Sequence, residues 1–172
     1  MNLKQIIREE ILNIVHEVGE GTAKLYDWRF EREIKLVRSG ERVYKYVFDS
    51  ENIDYVVTFN TYTIDVGGGK KKKGVAVTFY ADDSGSFANY EKSTNLNELY
   101  NVMATVMDII LDFMQIHDDV EILLISPSKA FEDDNRRANL YRAYINKNIS
   151  KLPGNWKMDS SDPEEITITK ID

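Results

Sequence analysis

Cysteine is absent from the 172 residues, which removes disulfides, thiolate nucleophiles, Cys-ligated zinc and iron–sulfur clusters together. Such a chain fits a reducing compartment better than secretion. Histidine is nearly absent as well: His16 and His117 stand alone, and neither sits in the Ser, Asp or Glu pattern of a hydrolase nucleophile elbow. No catalytic residue is therefore assigned. No stretch approaches the roughly 18 uninterrupted apolar residues of a membrane span. Arg8, Glu9 and Glu10 also break the apolar core that a signal peptide would need, so a soluble chain with no membrane partner is expected. Positive charge is in deficit, with 22 Lys and Arg against 29 Asp and Glu for a formal charge of -7. That balance disfavours non-specific binding to nucleic acid.

What is present is enough apolar material for one core. Hydrophobic residues make up 42% of the chain and aromatics 11%, in a length usual for a single domain. Leu3, Ile7, Ile11, Ile14 and Val18 recur at three- and four-residue spacing, which predicts an N-terminal amphipathic helix over residues 1–19 with Asn2 as cap and Gly19 as stop. Gly19 to Ala23 reads as a linker, and an α+β domain is expected over 24–172. From Arg42 the period changes to two. Clusters at Val43–Phe48, Tyr55–Tyr62 and Val75–Tyr80 predict a meander of three strands, with a further strand around Leu25 to Leu36.

Asn95 and Glu98 open a second helix to Ile116, whose face Met103, Val106, Ile110 and Phe113 is predicted to be nearly inaccessible. Its polar stripe of Asn101, Thr105, Asp108, Asp112 and Gln115 is narrow, so the helix should be covered on most sides. The apolar run Val120–Ile125 suits an interior strand. A third helix is expected from Glu132 to Ile149, and Ile166, Ile168 and Ile171 read as a closing edge strand. The predicted fold class is α+β, a single two-layer domain. Its sheet is mainly antiparallel, with two helices on one face plus the N-terminal amphipathic helix.

Few constellations carry chemistry. Gly67 to Gly74 superficially resembles a phosphate-binding loop, but Lys73 leads into Gly74 and a strand rather than into Ser or Thr and a helix. Lys70, Lys71, Lys72 and Lys73 are instead expected at a mobile hairpin tip without ordered contacts. They are a candidate grip for nucleic acid or an acidic partner, weak because about four phosphates at most are neutralised. Arg136 and Arg137 are candidates for bidentate binding of a phosphate or carboxylate. Their competing reading is self-pairing with Glu132 and Asp133 at i, i+4. The doublets Asp82 with Asp83, Asp118 with Asp119 and Asp133 with Asp134 read as turn formers and helix starts, so no metal and no cofactor is expected. His117 is read as a cation offsetting a helix C-terminal dipole.

Two stretches resemble proteins of tailed bacteriophages. LKQIIREEILNIVHEVGE resembles the N-terminal helix of small proteins in marine relatives of the T-even phages. NELYNVMATVMDIILDFM, VEILLISPS and DDNRRANLYRAYINKNI together resemble a helix, strand and helix unit of an uncharacterised phage family. In T-even-like phages some internal head proteins carry a targeting helix cut after Leu-x-Glu or Ile-x-Glu. Ile7-Arg8-Glu9 fits that pattern, while Val15-His16-Glu17 departs from it by its valine. The resemblance implies a non-enzymatic phage-derived protein in the host cytoplasm or the virion, partnered with a capsid component, a host factor or another copy of itself. The alternative is an enzyme or nucleotide binder with Asp82, Asp83, Arg136 and Arg137 in a cleft.

Overall fold

The computed structural model describes residues 23–50, 53–82, 96–127, 135–159 and 165–171. The elements are β1 (Trp28–Lys35), β2 (Arg42–Asp49), β3 (Asp54–Asp65), β4 (Lys71–Ala81), α1 (Leu96–Ile116), β5 (Ile122–Pro127), α2 (Asn135–Asn148), a 3-10 turn (Ile149–Lys151), β6 (Trp156–Asp159) and β7 (Ile166–Lys170). The strands form one seven-stranded sheet in the order β1-β2-β3-β4-β5-β7-β6. Every join is antiparallel except that of β4 with β5. The α+β class read from the sequence is what the chain adopts.

Alternation sets the faces of the sheet. In RVYKYVFD the second, fourth and sixth residues after Arg42, namely Tyr44, Tyr46 and Phe48, are all buried. Registers place Tyr44 beside Phe59, Phe59 beside Val77, Val77 beside Ile125 and Ile125 beside Ile166. Directly opposed residues point to the same side of a sheet, so an unbroken apolar row crosses β2, β3, β4, β5 and β7. Both helices settle on that row. Met103, Val106, Met107 and Ile110 of α1, with Tyr141, Tyr144 and Ile145 of α2, close around Phe79 and Ile125. Met103, Val106, Ile110 and Phe113 are 3%, 5%, 2% and 0% exposed, as their spacing predicts. Glu98–Ile116 is long and apolar enough to cross a membrane by length and composition. Here most of it is buried inside the fold, with Ile116 at its end exposed.

The first three residues of the polar stripe of α1, Asn101, Thr105 and Asp108, are met by the segment that enters β1, while Gln115 is exposed. The backbone amide of Lys24 donates to Asn101 Oδ1 at 2.7 Å, that of Tyr26 to Thr105 Oγ1 at 2.9 Å, and the Trp28 indole to Asp108 Oδ2 at 2.8 Å. These three acceptors recur at four- and three-residue spacing, one face of a helix, and residues 24–28 lie along it as a strap. Thr105 is fully buried and returns its own hydroxyl proton to the Asn101 carbonyl at 2.8 Å. A buried hydroxyl with both functions used is stable where a bare one is costly.

Several expectations need correcting. The strand at Ile166 is interior, paired with β5 on one side and β6 on the other. The edge is β6, a strand of four residues that begins just after the Pro153-Gly154 turn and is too short to announce itself. Ile171 does not continue the alternation and is half exposed. The lysine run is not a tip without contacts. The turn occupies Val66 to Lys70, and Lys71 to Lys73 lie in β4. Gly67, Gly68 and Gly69 all take positive φ, 90°, 63° and 74°, which residues with a Cβ rarely sustain in succession. The glycine triplet is thus a backbone requirement of the turn. The third helix is described over Asn135–Asn148, its expected start at Glu132 lying outside the described residues, and Ile149, its expected end, belongs to the 3-10 turn. The predicted helix 1–19, and the pairing of Arg136 and Arg137 with Glu132 and Asp133, lie outside the described residues.

Candidate functional site

The β1–β2 and β3–β4 hairpins end on the same side of the sheet, because Arg42 opens β2 beside Thr61 of β3. The Arg42 amide donates to Thr61 Oγ1 at 2.9 Å, and that hydroxyl donates to the Arg42 carbonyl at 3.3 Å. The C-terminal end of α1 reaches the same place. The His117 amide closes the last turn on Phe113 O at 2.9 Å, Val120 folds back on His117 O at 3.2 Å, and the Glu121 amide pins the loop to Lys73 O at 2.9 Å. This joint follows from the parallel β4–β5 pairing, since α1 must hand the chain back beside the start of β4. Between the hairpins and the loop lies a hollow of about 470 Å³, with walls that include Arg42, Tyr44, Thr63, Lys73, His117 and Asp119.

Lys73 Nζ donates to both carboxylate oxygens of Asp119, at 2.9 and 2.7 Å. That bond holds the Asp119 carboxyl below the usual carboxylate range. Arg42 pairs with Glu33 at 2.7 Å, and hydrogen bonding to Tyr44 together with Glu33 raises its already high pKa. The His117 ring rests against Phe113 at 4.2 Å and Tyr44 at 4.8 Å. Burial first, and the charge of Lys73 second, push its pKa below the ordinary histidine value. The expected imidazolium offsetting the helix dipole is therefore corrected to a neutral ring, because desolvation and a neighbouring cation outweigh the helix terminus. Tyr62 lies over Gly74, its cross-strand partner, where a Cβ would overlap the phenol ring. Its pKa is pushed up to about 12 by burial and then by Glu165, so it stays a phenol.

The candidate residues scatter. Lys73 alone among the lysines lines the hollow. Lys72 points to the opposite sheet face and approaches Glu121 at 3.6 Å, while Lys70 and Lys71 are exposed. A period of two splits the basic run between two faces, so four adjacent lysines do not make one grip. Arg136 and Arg137 lie in the first turn of α2, their side chains outside the described residues, as is Asp83. Asp82 is exposed just past the far end of β4 from Lys73, its amide donating to Asp54 O at 2.7 Å. Among the described residues, no group of three or more His, Asp or Glu side chains is placed to hold a metal ion. Arg42, Tyr44, Thr63 and Asp119 were not legible as a site. The available signal was a strand, a long helix and an apolar strand in succession from Val75 to Ile125, the mark of a parallel unit that joins its loop to the first strand.

The chain belongs to a family of unknown function, DUF6934, whose model matches residues 33–168, from within β1 to within β7. No curated protein and no solved structure matches the chain.

Proposed function

We propose that this member of the DUF6934 family is a non-enzymatic protein that binds a protein partner with the hairpin end of its sheet. The supporting observation is a cluster of exposed aliphatic side chains in the segments that frame the hollow. Leu36 and Val37 precede Ser39 and Gly40 of one wall, Val66 opens the turn that follows Thr63, and Ile116 precedes His117. Val37 is 97% exposed. Single exposed aliphatics are ordinary, but a group of them on one rim marks an association surface. The partners this proposal admits are a virion component, a host factor or a second copy of the chain. The enzyme or nucleotide-binding alternative draws no support from Asp82, which lies away from the hollow.

A photo-crosslinking amino acid placed at Val37 of the full chain in producing cells should give a discrete adduct with a protein. The same probe at Lys157 on β6 should give none. Adding Leu36→Asp and Val66→Asp should erase the Val37 adduct without lowering the melting temperature. Equal labelling from Val37 and Lys157 would end the proposal.

A further inference from the structure

The charged groups around the hollow are compensated before any ligand arrives. Lys73 engages both oxygens of Asp119, Arg42 engages Glu33, and Glu41 takes the Ser39 hydroxyl at 3.0 Å. An incoming anion is repelled by the carboxylate already seated on each cation, and an incoming cation meets the mirror-image obstacle. An uncharged ligand competes with neither. An ammonium has three N–H donors, a guanidinium five, and a carboxylate about four acceptor positions, more than these pairs consume. The hollow therefore offers strong, directed donors and acceptors in a setting with little net pull on ions.

One wall of the hollow is aromatic. The His117 ring is held at fixed tilt by Phe113 and Tyr44. As a neutral imidazole it presents an apolar face with one N–H donor and one acceptor nitrogen at its edge. A flat ring beside a ring of paired charges suits a molecule that carries C–H groups on one face and hydroxyls around its rim. Each hydroxyl both donates and accepts, so vicinal hydroxyls can bridge an ion pair without breaking it. The volume of about 470 Å³ is in the range of small-molecule sites.

We infer that the hollow bounded by Arg42, Tyr44, Thr63, Lys73, His117 and Asp119 is a binding site for an uncharged, polyhydroxylated ligand, a sugar ring or short saccharide. The site uses the walls of the hollow and not its aliphatic rim, so it stands apart from the protein-partner proposal. The Lys73–Asp119 pair brackets two neighbouring hydroxyls, and the His117 ring packs against the C–H face.

The test is an NMR titration of the full chain with glucose, galactose, mannose, ribose, N-acetylglucosamine and their disaccharides, with inorganic phosphate as the ionic control. At least one neutral sugar should shift the amides of Thr63, Lys73 and His117 saturably in the millimolar range, while phosphate leaves them in place. Asp119→Asn should weaken that sugar by about tenfold or more. The same change should give phosphate a hold on the released Lys73, which distinguishes loss of a ligand contact from general loosening. Unchanged amide dispersion elsewhere shows the variant folded. The inference is overturned if no neutral sugar moves these amides, if phosphate binds the unaltered chain more tightly than every sugar, or if Asp119→Asn leaves sugar binding intact.

Discussion

Two groups of polar side chains lie along or just beyond α1, and the chain treats them in opposite ways. Along its flank, Asn101, Thr105 and Asp108 each receive a hydrogen bond from residues 24–28, and the strap buries Thr105 completely while Asn101 and Asp108 stay half-buried. Just past its C-terminal end, His117 and Asp119 stand with Arg42 and Lys73 around open space. Both groups look alike in a helical-wheel reading, as polar positions interrupting an apolar pattern. What separates them is where their hydrogen-bonding capacity goes. On the flank it is consumed by the chain's own amides and indole, which makes it structure. At the end it is satisfied between side chains that keep further donors and acceptors facing a cavity, which makes it available to a ligand.

The largest effect belongs to the residue beneath the open end. Phe113 is fully buried, stacks on Phe59 at 4.1 Å and meets Tyr44 at 5.3 Å and His117 at 4.2 Å. Phe113→Ala should cost about 3–5 kcal/mol in urea denaturation, the usual range for truncating a core aromatic. It should also loosen the ring that forms the aromatic wall. A loss below about 1 kcal/mol would show that the hollow does not share the core's floor.

Next comes a matched pair of threonines. Thr105→Val keeps the shape but strands the half-buried amide of Tyr26, and should cost about 1–3 kcal/mol. Thr63→Val, on the exposed wall of the hollow, should stay within about 0.5 kcal/mol of the unaltered chain. Equal losses would erase the distinction between the sealed and the open group.

The sealed half of this contrast was partly visible in the sequence. The apolar spacing of Met103, Val106, Ile110 and Phe113 fixed the buried face of α1, and the narrow polar stripe implied a cover. Period-two clusters marked β2, β3 and β4 for the same reason, because burying one face of a sheet forces alternation. The identity of the cover was hidden, since the strap bonds chiefly through backbone amides that any residue supplies. The open half was hidden more deeply. Lys73 and Asp119 are 46 positions apart and meet because β4 and β5 pair in parallel. Lys73 looked like one of four equivalent lysines, and only its register opposite Thr63 singles it out. β6 escaped because four residues are too few for a period to be counted.

The smallest effect is a pH dependence, and it tests the open end alone. The folded-state pKa of His117 lies below its ordinary value, first through burial and then through Lys73, with Arg42 acting in the same sense and Asp119 and Glu33 opposing. The unfolded chain, near the free histidine value of about 6.5, binds the proton first as pH falls. In that window the unfolded state holds more protons than the folded one, so stability rises with pH. The contribution is fully present above the unfolded pKa and is lost as pH falls through the folded value. His117→Phe keeps a ring against Tyr44 and Phe113 but cannot titrate. Urea midpoints measured across mildly acidic to neutral pH should therefore fall more steeply on acidification for the unaltered chain than for His117→Phe. The two curves should run parallel above neutrality. If the unaltered chain instead gains stability relative to the variant on acidification, His117 is a cation serving the helix terminus. The neutral aromatic wall of the hollow would then be lost with it.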